Sequence, residues 1–211
     1  MIAIVDYGVG NLFSLRSSLK TVGMDALVTA DRAKLHEAEK ILLPGVGAFG
    51  DAADKLRETG MYDAVLDEVR EGKPLLGICL GMQLLFERSY EFGVHEGLGL
   101  IPGEVVPMEG TIPAALKIPQ IGWNGLEFPA QKSPLFRGIE PGECVYFVHS
   151  FYVPGENPNT IARTEYGVSV TAAAAKGRVY GCQFHPEKSG RVGLQILRNF
   201  CEMTEKEMDE C

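Results

Sequence analysis

The sequence predicts an α/β fold of three layers, in which helices flank a mostly parallel central sheet that carries an antiparallel extension. Two observations predict it. Over the first 80 residues, short apolar runs of strand character alternate with segments of helical periodicity, and this β-α-β order is typical of parallel strands covered on both faces. From about residue 93 to 141, short β-like runs separated by glycine and proline indicate antiparallel strands and loops over one end of the sheet.

Length and composition narrow the class of protein. A chain of 211 residues suits one domain with a sizeable core. The formal net charge of -8 disfavours nucleic acid as a partner, because there is no overall basic field. The N-terminus begins as a strand, and no apolar run approaches the roughly 20 residues of a membrane span, so we expect a cytoplasmic protein without membrane contact. Five cysteines without a C-x-x-C pair indicate neither a disulfide framework nor a zinc site.

The first elements are marked by capping residues. Residues 1–5 form a short apolar strand, and Asn11 is a candidate N-cap of a helix that Gly23 ends. The sequence then predicts a strand at residues 26–29, a short helix that begins near residue 31, and a strand at residues 40–43. Two helices follow at residues 49–58 and 62–71, and a buried strand at residues 74–78 returns the chain to the centre of the sheet.

The second half of the chain carries fewer regular patterns. Residues 144–153 form a strand rich in aromatic side chains, and residues 178–187 form the last strand. A final helix over residues 191–202 places apolar residues inward. The domain is therefore predicted to cover residues 1–202, followed by an acidic tail at residues 203–211 that is a frayed helix end without an assigned function.

Residues 77–83 have the pattern Gly-Ile-Cys-Leu-Gly-Met-Gln, in which a buried strand turns sharply into a helix at Cys79. Glycines at 77 and 81 permit a tight turn and close packing of the helix on its strand, which is the geometry of a nucleophile elbow. A thiol at a helix N-terminus is activated as a thiolate. Taken alone, the pattern fits a buried structural cysteine equally well, because free cysteine is among the most buried residue types.

Two further stretches carry groups that such a nucleophile needs. The Pro-Gly-Val-Gly sequence at residues 44–47 follows the third strand and can expose backbone N–H groups at the edge where α/β sheets bind ligands, although alone it fits an ordinary turn. Alternation places Cys182 in the core and His185 and Glu187 on the opposite face, with Pro186 holding the backbone extended. A carboxylate beside an imidazole can orient it as in a catalytic triad, although alone this pair fits a solvated strand end.

Together and in this order, the motifs resemble the class I (triad) glutamine amidotransferases, whose fold is flavodoxin-like. The resemblance covers about residues 1 to 200. Within the family the chain is most similar to the glutaminase subunits of imidazole glycerol phosphate synthase, which supply ammonia for a step of histidine biosynthesis. The segments that carry this likeness are Asp-Tyr-Gly-Val-Gly-Asn-Leu at 6–12, Gly-Trp-Asn at 122–124, Val-His-Ser at 148–150 and His-Pro-Glu-Lys-Ser at 185–189. Two positions depart from the family pattern, Gln120 in place of a usual histidine and Phe151 in place of a frequent tyrosine.

The resemblance implies a glutamine amidotransferase that hydrolyses L-glutamine to glutamate and ammonia. Cys79 would be the nucleophile of a triad completed by His185 and Glu187. Backbone N–H groups of Val46 and Leu80 would stabilise the oxyanion. The residues implied to hold glutamine are Gly47, Gln83, Glu91, Ser150 and Phe151. No cofactor and no metal are implied.

The size of the chain predicts a partner. A single domain filled by a glutaminase leaves no room for a second substrate site, so ammonia must pass to another chain. The resemblance implies a (β/α)8-barrel cyclase, in a heterodimer that makes imidazole glycerol phosphate and AICAR. By the same resemblance, the wall facing this partner includes Asn11, Trp123, Tyr146 and Lys188. Glycines on both sides of Val46 make a peptide flip easy, and we expect the isolated chain to be nearly inactive until the loaded partner docks.

Three other interpretations are compatible with the sequence. The chain could serve another biosynthetic complex such as pyridoxal phosphate synthase, against which the Gly-Trp-Asn and Asp-Tyr-Gly elements argue. It could be a non-catalytic regulatory subunit, against which the intact triad argues. It could also be a cysteine hydrolase or peptidase. The sequence assigns no role to Cys144, Cys201 or Cys211 beyond packing and surface.

Overall fold

The computed structural model describes residues 1–129 and 131–209. Its strands, in chain order, are β1 (Ile2–Val5), β2 (Ala26–Thr29), β3 (Lys40–Gly45), β4 (Leu75–Cys79), β5 (Phe86–Ser89), β6 (His95–Glu96), β7 (Ile101–Pro107), β8 (Gln120–Gly125), β9 (Cys144–His149), β10 (Phe151–Tyr152), β11 (Thr160–Glu165), β12 (Ser169–Lys176) and β13 (Val179–Cys182). Its helices are α1 (Leu12–Thr21), α2 (Arg32–Glu37), α3 (Phe49–Glu58), α4 (Met61–Arg70), α5 (Leu80–Gln83), α6 (Gly190–Glu202) and α7 (Glu205–Asp209). No helix of this described part is long and apolar enough to cross a membrane.

The central sheet has seven strands in the order β2-β1-β3-β4-β13-β12-β11. The first five strands in this order are parallel, whereas β12 is antiparallel to both of its neighbours. The register pairs Gly45 with Cys79 and Ile78 with Cys182, so β3, β4 and β13 end at the same edge of the sheet. In open α/β sheets this carboxyl edge is where ligands bind.

Helices cover both faces of the sheet, as the sequence predicts for a three-layer fold. On one face α1 and α6 bury Leu15, Leu19, Ile196 and Phe200. On the other face α2, α3 and α4 bury Leu35, Phe49, Leu56 and Val65. The inward apolar residues predicted for the helix over residues 191–202, which is α6, are therefore confirmed. Each face of the sheet has its own core.

Local signals explain where the first helices begin and end. The side chain of Asn11 accepts a hydrogen bond from the N–H of Ser14 at 3.4 Å, so its predicted role as N-cap is confirmed. Asp31 caps α2 in the same way by accepting from the N–H of Ala33 at 2.8 Å. Gly23, which the sequence places at the end of α1, has a φ of +82°, a conformation in which only glycine is unstrained.

Two smaller sheets form the predicted extension. One has the order β10-β7-β5-β6, and the other pairs β8 with β9 in antiparallel fashion. The extension is not wholly antiparallel, because β5 and β7 run parallel. The sheet of β8 and β9 meets the central sheet where the N–H of His185 donates to the carbonyl of Tyr146 at 2.9 Å.

The chain around the elbow and the last strand differs from the sequence expectations in two places. The helix that follows Cys79 is a single turn, because the carbonyls of Leu84 and Leu85 bond to the N–H groups of Leu98 and Leu100 instead of continuing the helix. The backbone at Pro186 is not extended. Residues 186–188 form one 3-10 turn, in which the N–H of Lys188 donates to the carbonyl of His185 at 3.0 Å.

Strands β11 and β12 have no counterpart among the sequence predictions. The alanines at positions 172–175 are at most 7% exposed, yet alanine favours helices and is depleted in strands. Their conformation is imposed by the neighbouring strands, because β12 is paired on both sides, with β11 and with β13. Tertiary pairing therefore outweighs local propensity in this segment.

The C-terminal tail is ordered as far as it is described. Met208 in α7 is fully buried, and Arg178 donates to Asp209 at 2.8 Å and to Glu205 at 3.3 Å. The expectation of a frayed helix end is therefore wrong for residues 205–209, because one apolar side chain anchors the segment. Cys211 lies outside the described residues.

Candidate active site

The nucleophile elbow predicted at Cys79 is a strained turn. Cys79 has φ +54° and ψ -111°, a combination that costs a non-glycine residue about 1–3 kcal/mol. The turn is possible because glycines surround it. A Cβ on Gly81 would collide with the carbonyl oxygen of Leu43, and one on Gly77 would lie 2.6 Å from the carbonyl oxygen of Gly81. Cys79 is 7% exposed and is the last residue of β4, at the carboxyl edge of the sheet.

An imidazole and a carboxylate stand beside this thiol. His185 follows β13, the neighbour of β4, and its Nδ1 lies 2.8 Å from Oε1 of Glu187, with both side chains 3% exposed. Burial lowers the pKa of His185, but hydrogen bonds to Cys79 and Glu187 outweigh this and raise the pKa to about 9. Because Nδ1 faces the carboxylate, Nε2 is the ring nitrogen left for the sulfur.

The side chain of Ser189 fixes the backbone turn that carries His185 and Glu187. The hydroxyl of Ser189 donates to the carbonyl of His185 at 2.6 Å and accepts from the N–H of Tyr146 at 3.0 Å. These bonds close the 3-10 turn. The turn places the carboxylate of Glu187 beside the imidazole of His185, two residues before it in the chain. The turn, rather than strand alternation, therefore positions the pair.

The turn after β3 lies against the elbow, because Gly45 is the strand partner of Cys79. The hydroxyl of Tyr7 donates to the carbonyl of Pro44 at 2.8 Å and anchors the turn from beneath. Tyr7 is 1% exposed, and burial followed by the charge of Cys79 raises its pKa above the usual range. Val46, by contrast, is 39% exposed at the tip of the turn.

A pocket of about 300 Å³ opens over the elbow. Cys79 and His185 line it together with all seven residues that the sequence predicts for the oxyanion hole and for glutamine, namely Val46, Gly47, Leu80, Gln83, Glu91, Ser150 and Phe151. Three residues that were not predicted from the sequence as site residues also line it, namely Pro119, Val148 and His149. The N–H of Leu80 is at the first position of α5, where a backbone donor has no acceptor within the helix.

Comparison with known proteins decides the family. The model of the class-I glutamine amidotransferase family matches residues 3–203. A HisH subunit of imidazole glycerol phosphate synthase from Caldanaerobacter subterraneus is 50% identical over 204 residues, covering 96% of this chain and 98% of the relative. The HisH subunit from Wolinella succinogenes is 49% identical over 205 residues, covering 96% of this chain and 100% of the relative.

The chain belongs to the class-I glutamine amidotransferase family, among its HisH subunits. The family predicted from the sequence is thereby confirmed. The relatives favour it over the three alternatives, which were a subunit of pyridoxal phosphate synthase, a regulatory subunit and a peptidase. Solved structures agree in fold. A glutamine amidotransferase structure aligns with a TM-score of 0.74 at 20% identity, covering 96% of this chain and 98% of that one, and PurLQS from Thermotoga maritima aligns with a TM-score of 0.72 at 22% identity, covering 95% and 96%.

The amide of Gln83 is committed to the protein in this glutamine amidotransferase. Its Nε2 donates to the carbonyl of Phe151 at 2.9 Å and to Oε1 of Gln183 at 3.0 Å. Both hydrogens are therefore used, and only Oε1 of Gln83 is left for a ligand, as an acceptor. Strand alternation places Gln183 on the same face as His185, but one amide in a strand has no distinctive pattern that would predict a role for it.

Two other titratable groups shape the pocket. Oε2 of Glu91 accepts from the N–H of Phe49 at 2.6 Å, and burial, the largest influence, raises the pKa of Glu91 above its usual value. Nδ1 of His149 lies 2.9 Å from the carbonyl of Phe151, and because a carbonyl only accepts, this nitrogen carries the proton. Burial lowers the pKa of His149 to about 4, so the ring is neutral at pH 7.

The four residues predicted at a partner interface lie in two places. Trp123 is 54% exposed and meets Tyr146 edge to face at 6.0 Å, while Nζ of Lys188 lies 5.9 Å from the centre of the Tyr146 ring. Trp123 is thus a surface residue. Asn11 is separate from this group, and lines a cavity of about 10 Å³ behind His185 and Glu187.

The two departures from the family pattern have different structural weight. Gln120 is fully buried in β8, opposite His149, and its Nε2 donates to Oδ1 of Asn124 at 2.9 Å. Phe151 acts through its backbone, since its carbonyl accepts from Gln83 and faces His149. A missing tyrosine hydroxyl at position 151 therefore leaves these contacts intact.

Proposed function

We propose that this chain hydrolyses L-glutamine with the triad Cys79, His185 and Glu187, and delivers ammonia to a cyclase subunit that makes imidazole glycerol phosphate and AICAR in histidine biosynthesis. The observation that carries the proposal is the convergence of three strand ends at one edge of the sheet. β4 supplies the thiol, β13 leads to the imidazole, and β3 leads to a glycine-flanked turn of backbone N–H groups. These are the groups that acyl transfer from an amide requires.

The first half of the reaction forms a thioester. The thiolate of Cys79 attacks the side-chain amide carbon of glutamine, a C–S bond forms, and the carbonyl electrons move to oxygen. The N–H groups of Leu80 and Val46 stabilise this oxyanion. The imidazolium of His185 then protonates the amide nitrogen, the C–N bond breaks, and ammonia leaves.

The second half regenerates the enzyme. Neutral His185 takes a proton from water as the oxygen attacks the thioester carbon, and collapse of the second oxyanion expels the thiolate of Cys79 and releases glutamate. Glu187 accepts the hydrogen bond from Nδ1 of His185 throughout and so keeps that nitrogen protonated. Gly47, Gln83, Glu91, Ser150 and Phe151 hold the amino-acid end of glutamine. Within this group Gln83 contributes an acceptor, and the carboxylate of Glu91 suits the α-ammonium.

The receiving partner is a (β/α)8-barrel cyclase. The names of the relatives support this assignment, since they are subunits of a synthase. We place the contact at Trp123, Tyr146 and Lys188, where an exposed indole packs on a phenol and an ammonium lies over its ring, and at Asn11, which lies apart from these three. Exposed aromatic side chains are typical centres of protein interfaces. We infer a cytoplasmic location, because a reducing compartment keeps the thiol of Cys79 free.

The activity test uses the chain copurified with its cyclase partner, with glutamate release followed as a function of glutamine concentration. Cys79→Ala should abolish glutamate release. Cys144→Ala is the matched control, because Cys144 is an exposed free thiol outside the pocket, and it should leave turnover unchanged. Glutamate release that survives Cys79→Ala would overturn the proposal.

We also propose that turnover depends on the partner. Val46 is exposed, and Gly47 beside it has a φ of +94°, so the peptide between them can reorient at little steric cost. Docking of the loaded cyclase would align the N–H of Val46 with the oxyanion. Glutamate release measured with and without the partner and its phosphoribosyl ligand checks this, and equal rates would contradict it.

A further inference from the structure

Beneath the pocket, two buried amides form a chain from the substrate side to the nucleophile. Gln83 is 4% exposed and Gln183 is fully buried. Nε2 of Gln83 donates to the carbonyl of Phe151 and to Oε1 of Gln183, and Nε2 of Gln183 lies 3.8 Å from the sulfur of Cys79. The chain therefore ends on the atom that attacks the substrate.

The direction of this chain is determined by its first member. The carbonyl oxygen of Phe151 can only accept, so the group of Gln83 that faces it must be the NH2 group. The second hydrogen of that NH2 group requires an acceptor, which makes the nearer atom of Gln183 its oxygen. The opposite end of Gln183 is then its NH2 group, and it faces sulfur as a donor. One backbone carbonyl thus removes the usual ambiguity of amide orientation from both side chains.

We propose that Gln183 is a positioning residue that donates a hydrogen bond to the thiolate of Cys79, with its amide oriented by Gln83 and the carbonyl of Phe151. The inference rests on the proposed function of Cys79 as nucleophile. Hydrogen bonds to an ionised acceptor are about twice as strong as neutral ones, so the donor favours the thiolate over the thiol. It also holds the sulfur in place while His185 exchanges its proton with the substrate.

Few other titratable groups near the sulfur change charge around neutral pH. Tyr7 below the elbow and Cys182 in β13 both have their pKa raised by burial. Of the described residues that line the pocket with the sulfur, His149 has its pKa lowered to about 4 by burial and Glu91 has its pKa raised by burial, while His185, held by Glu187, has a pKa of about 9. A change in the pH dependence of Cys79 that appears on substitution of Gln183 alone is therefore assignable to the lost donor.

The test measures the reactivity of Cys79 without glutamine, so its result is independent of glutaminase turnover. Gln183→Met has nearly the same size but lacks the donor. The full chain is treated with iodoacetamide between pH 5 and 9, and alkylation of the peptide containing Cys79 is quantified by mass spectrometry. We expect alkylation of Cys79 at pH 7 to slow about tenfold and its pH profile to move to higher pH, as for the loss of a hydrogen bond to a charged group. Exposed Cys144 in the same sample is the internal reference and should react unchanged.

A purely structural role for Gln183 predicts a different result. Asn199→Leu is the matched control, because Asn199 is a buried amide that bonds to the carbonyls of Leu135 and Arg137, far along the chain from Cys79. Both variants should lose thermal stability, but only the Gln183 variant should change the alkylation profile of Cys79. An unchanged profile in a folded Gln183→Met protein would overturn the proposal. If that variant does not fold, Gln183→Leu, which also lacks the donor and adds no charge beside the sulfur, must show the same shift for the proposal to stand.

Discussion

Replacing Glu187 with glutamine tests how strongly the buried carboxylate controls the imidazole. The change removes one negative charge at nearly constant shape, 2.8 Å from Nδ1 of His185, where both side chains are 3% exposed. An amide can also turn its NH2 group toward Nδ1, which would place the proton of the ring on the wrong nitrogen. We therefore expect kcat/KM for glutamine, measured with the partner present, to fall by about 10² to 10⁴ at pH 7.5.

The size of the effect on proton affinity follows from the site. The pKa of His185 is about 9 against an ordinary value of 6.5. At about 1.36 kcal/mol for each pH unit, this difference corresponds to about 3 kcal/mol in favour of the imidazolium, shared between Cys79 and Glu187. If Glu187 supplies half, Glu187→Gln lowers the pKa of His185 by about one pH unit. The pH at which kcat/KM declines on the alkaline side should therefore be lower by about one unit in Glu187→Gln.

The same pKa predicts how stability depends on pH. A group whose pKa is raised in the folded state contributes stability that is complete below its unfolded pKa and is lost as pH rises through its folded pKa. For His185 the contribution is therefore present below pH 6.5 and fades toward pH 9. Urea denaturation at pH 6 and pH 9 should show a smaller difference in the free energy of unfolding for Glu187→Gln than for the wild type.

Glu104→Gln is the matched control, because Glu104 is a surface carboxylate 3.3 Å from Arg88 and outside the pocket. It should leave both kcat/KM and the pH profile unchanged. An unmoved alkaline limb together with kcat/KM within about threefold of the wild type would refute the reasoning for Glu187, since loss of a triad carboxylate costs far more than that.

Three further substitutions test the scaffold. Gly81→Ala places a methyl group against the carbonyl of Leu43, and we expect soluble yield and melting temperature to fall sharply; a wild-type melting curve would contradict the close packing at the elbow. Tyr7→Phe removes the hydroxyl that donates to the carbonyl of Pro44, and should cost about 1 kcal/mol of unfolding free energy in urea titration. The same change should lower kcat/KM for glutamine by a larger factor than it alters KM. Met208→Ala should cost about 2–4 kcal/mol in the same titration, whereas a change below about 0.5 kcal/mol would show that α7 contributes little to the core.

Much of the fold could be predicted from local patterns. The first four strands and the helices between them follow period-2 and period-3.6 patterns that end at capping residues, as at Asn11 and Gly23. The prediction failed where local propensity and tertiary pairing disagree. The alanines of β12 favour a helix, and the segment after Cys79 favours a longer helix than the single turn that forms.

The residues of the candidate site also fall into those that a local sequence motif identifies and those that it does not. The elbow, the turn after β3 and the pair of His185 and Glu187 each have a short sequence motif, so the sequence alone is enough to single them out. Gln183 and His149 could not be found in this way, because a buried amide or imidazole in a strand has no local signature and its partners are not marked by any motif.

The amino-acid sequence by itself determined the reacting groups and the strand ends that carry them, because turns and caps depend on residues a few positions apart. Only the tertiary structure decided that these strand ends are neighbours, that a 3-10 turn closed by Ser189 places Glu187 under His185, and that Gln183 faces the sulfur of Cys79. The physical reason is that hydrogen bonds across β3, β4 and β13 join residues more than 30 positions apart, and no local pattern specifies such pairings.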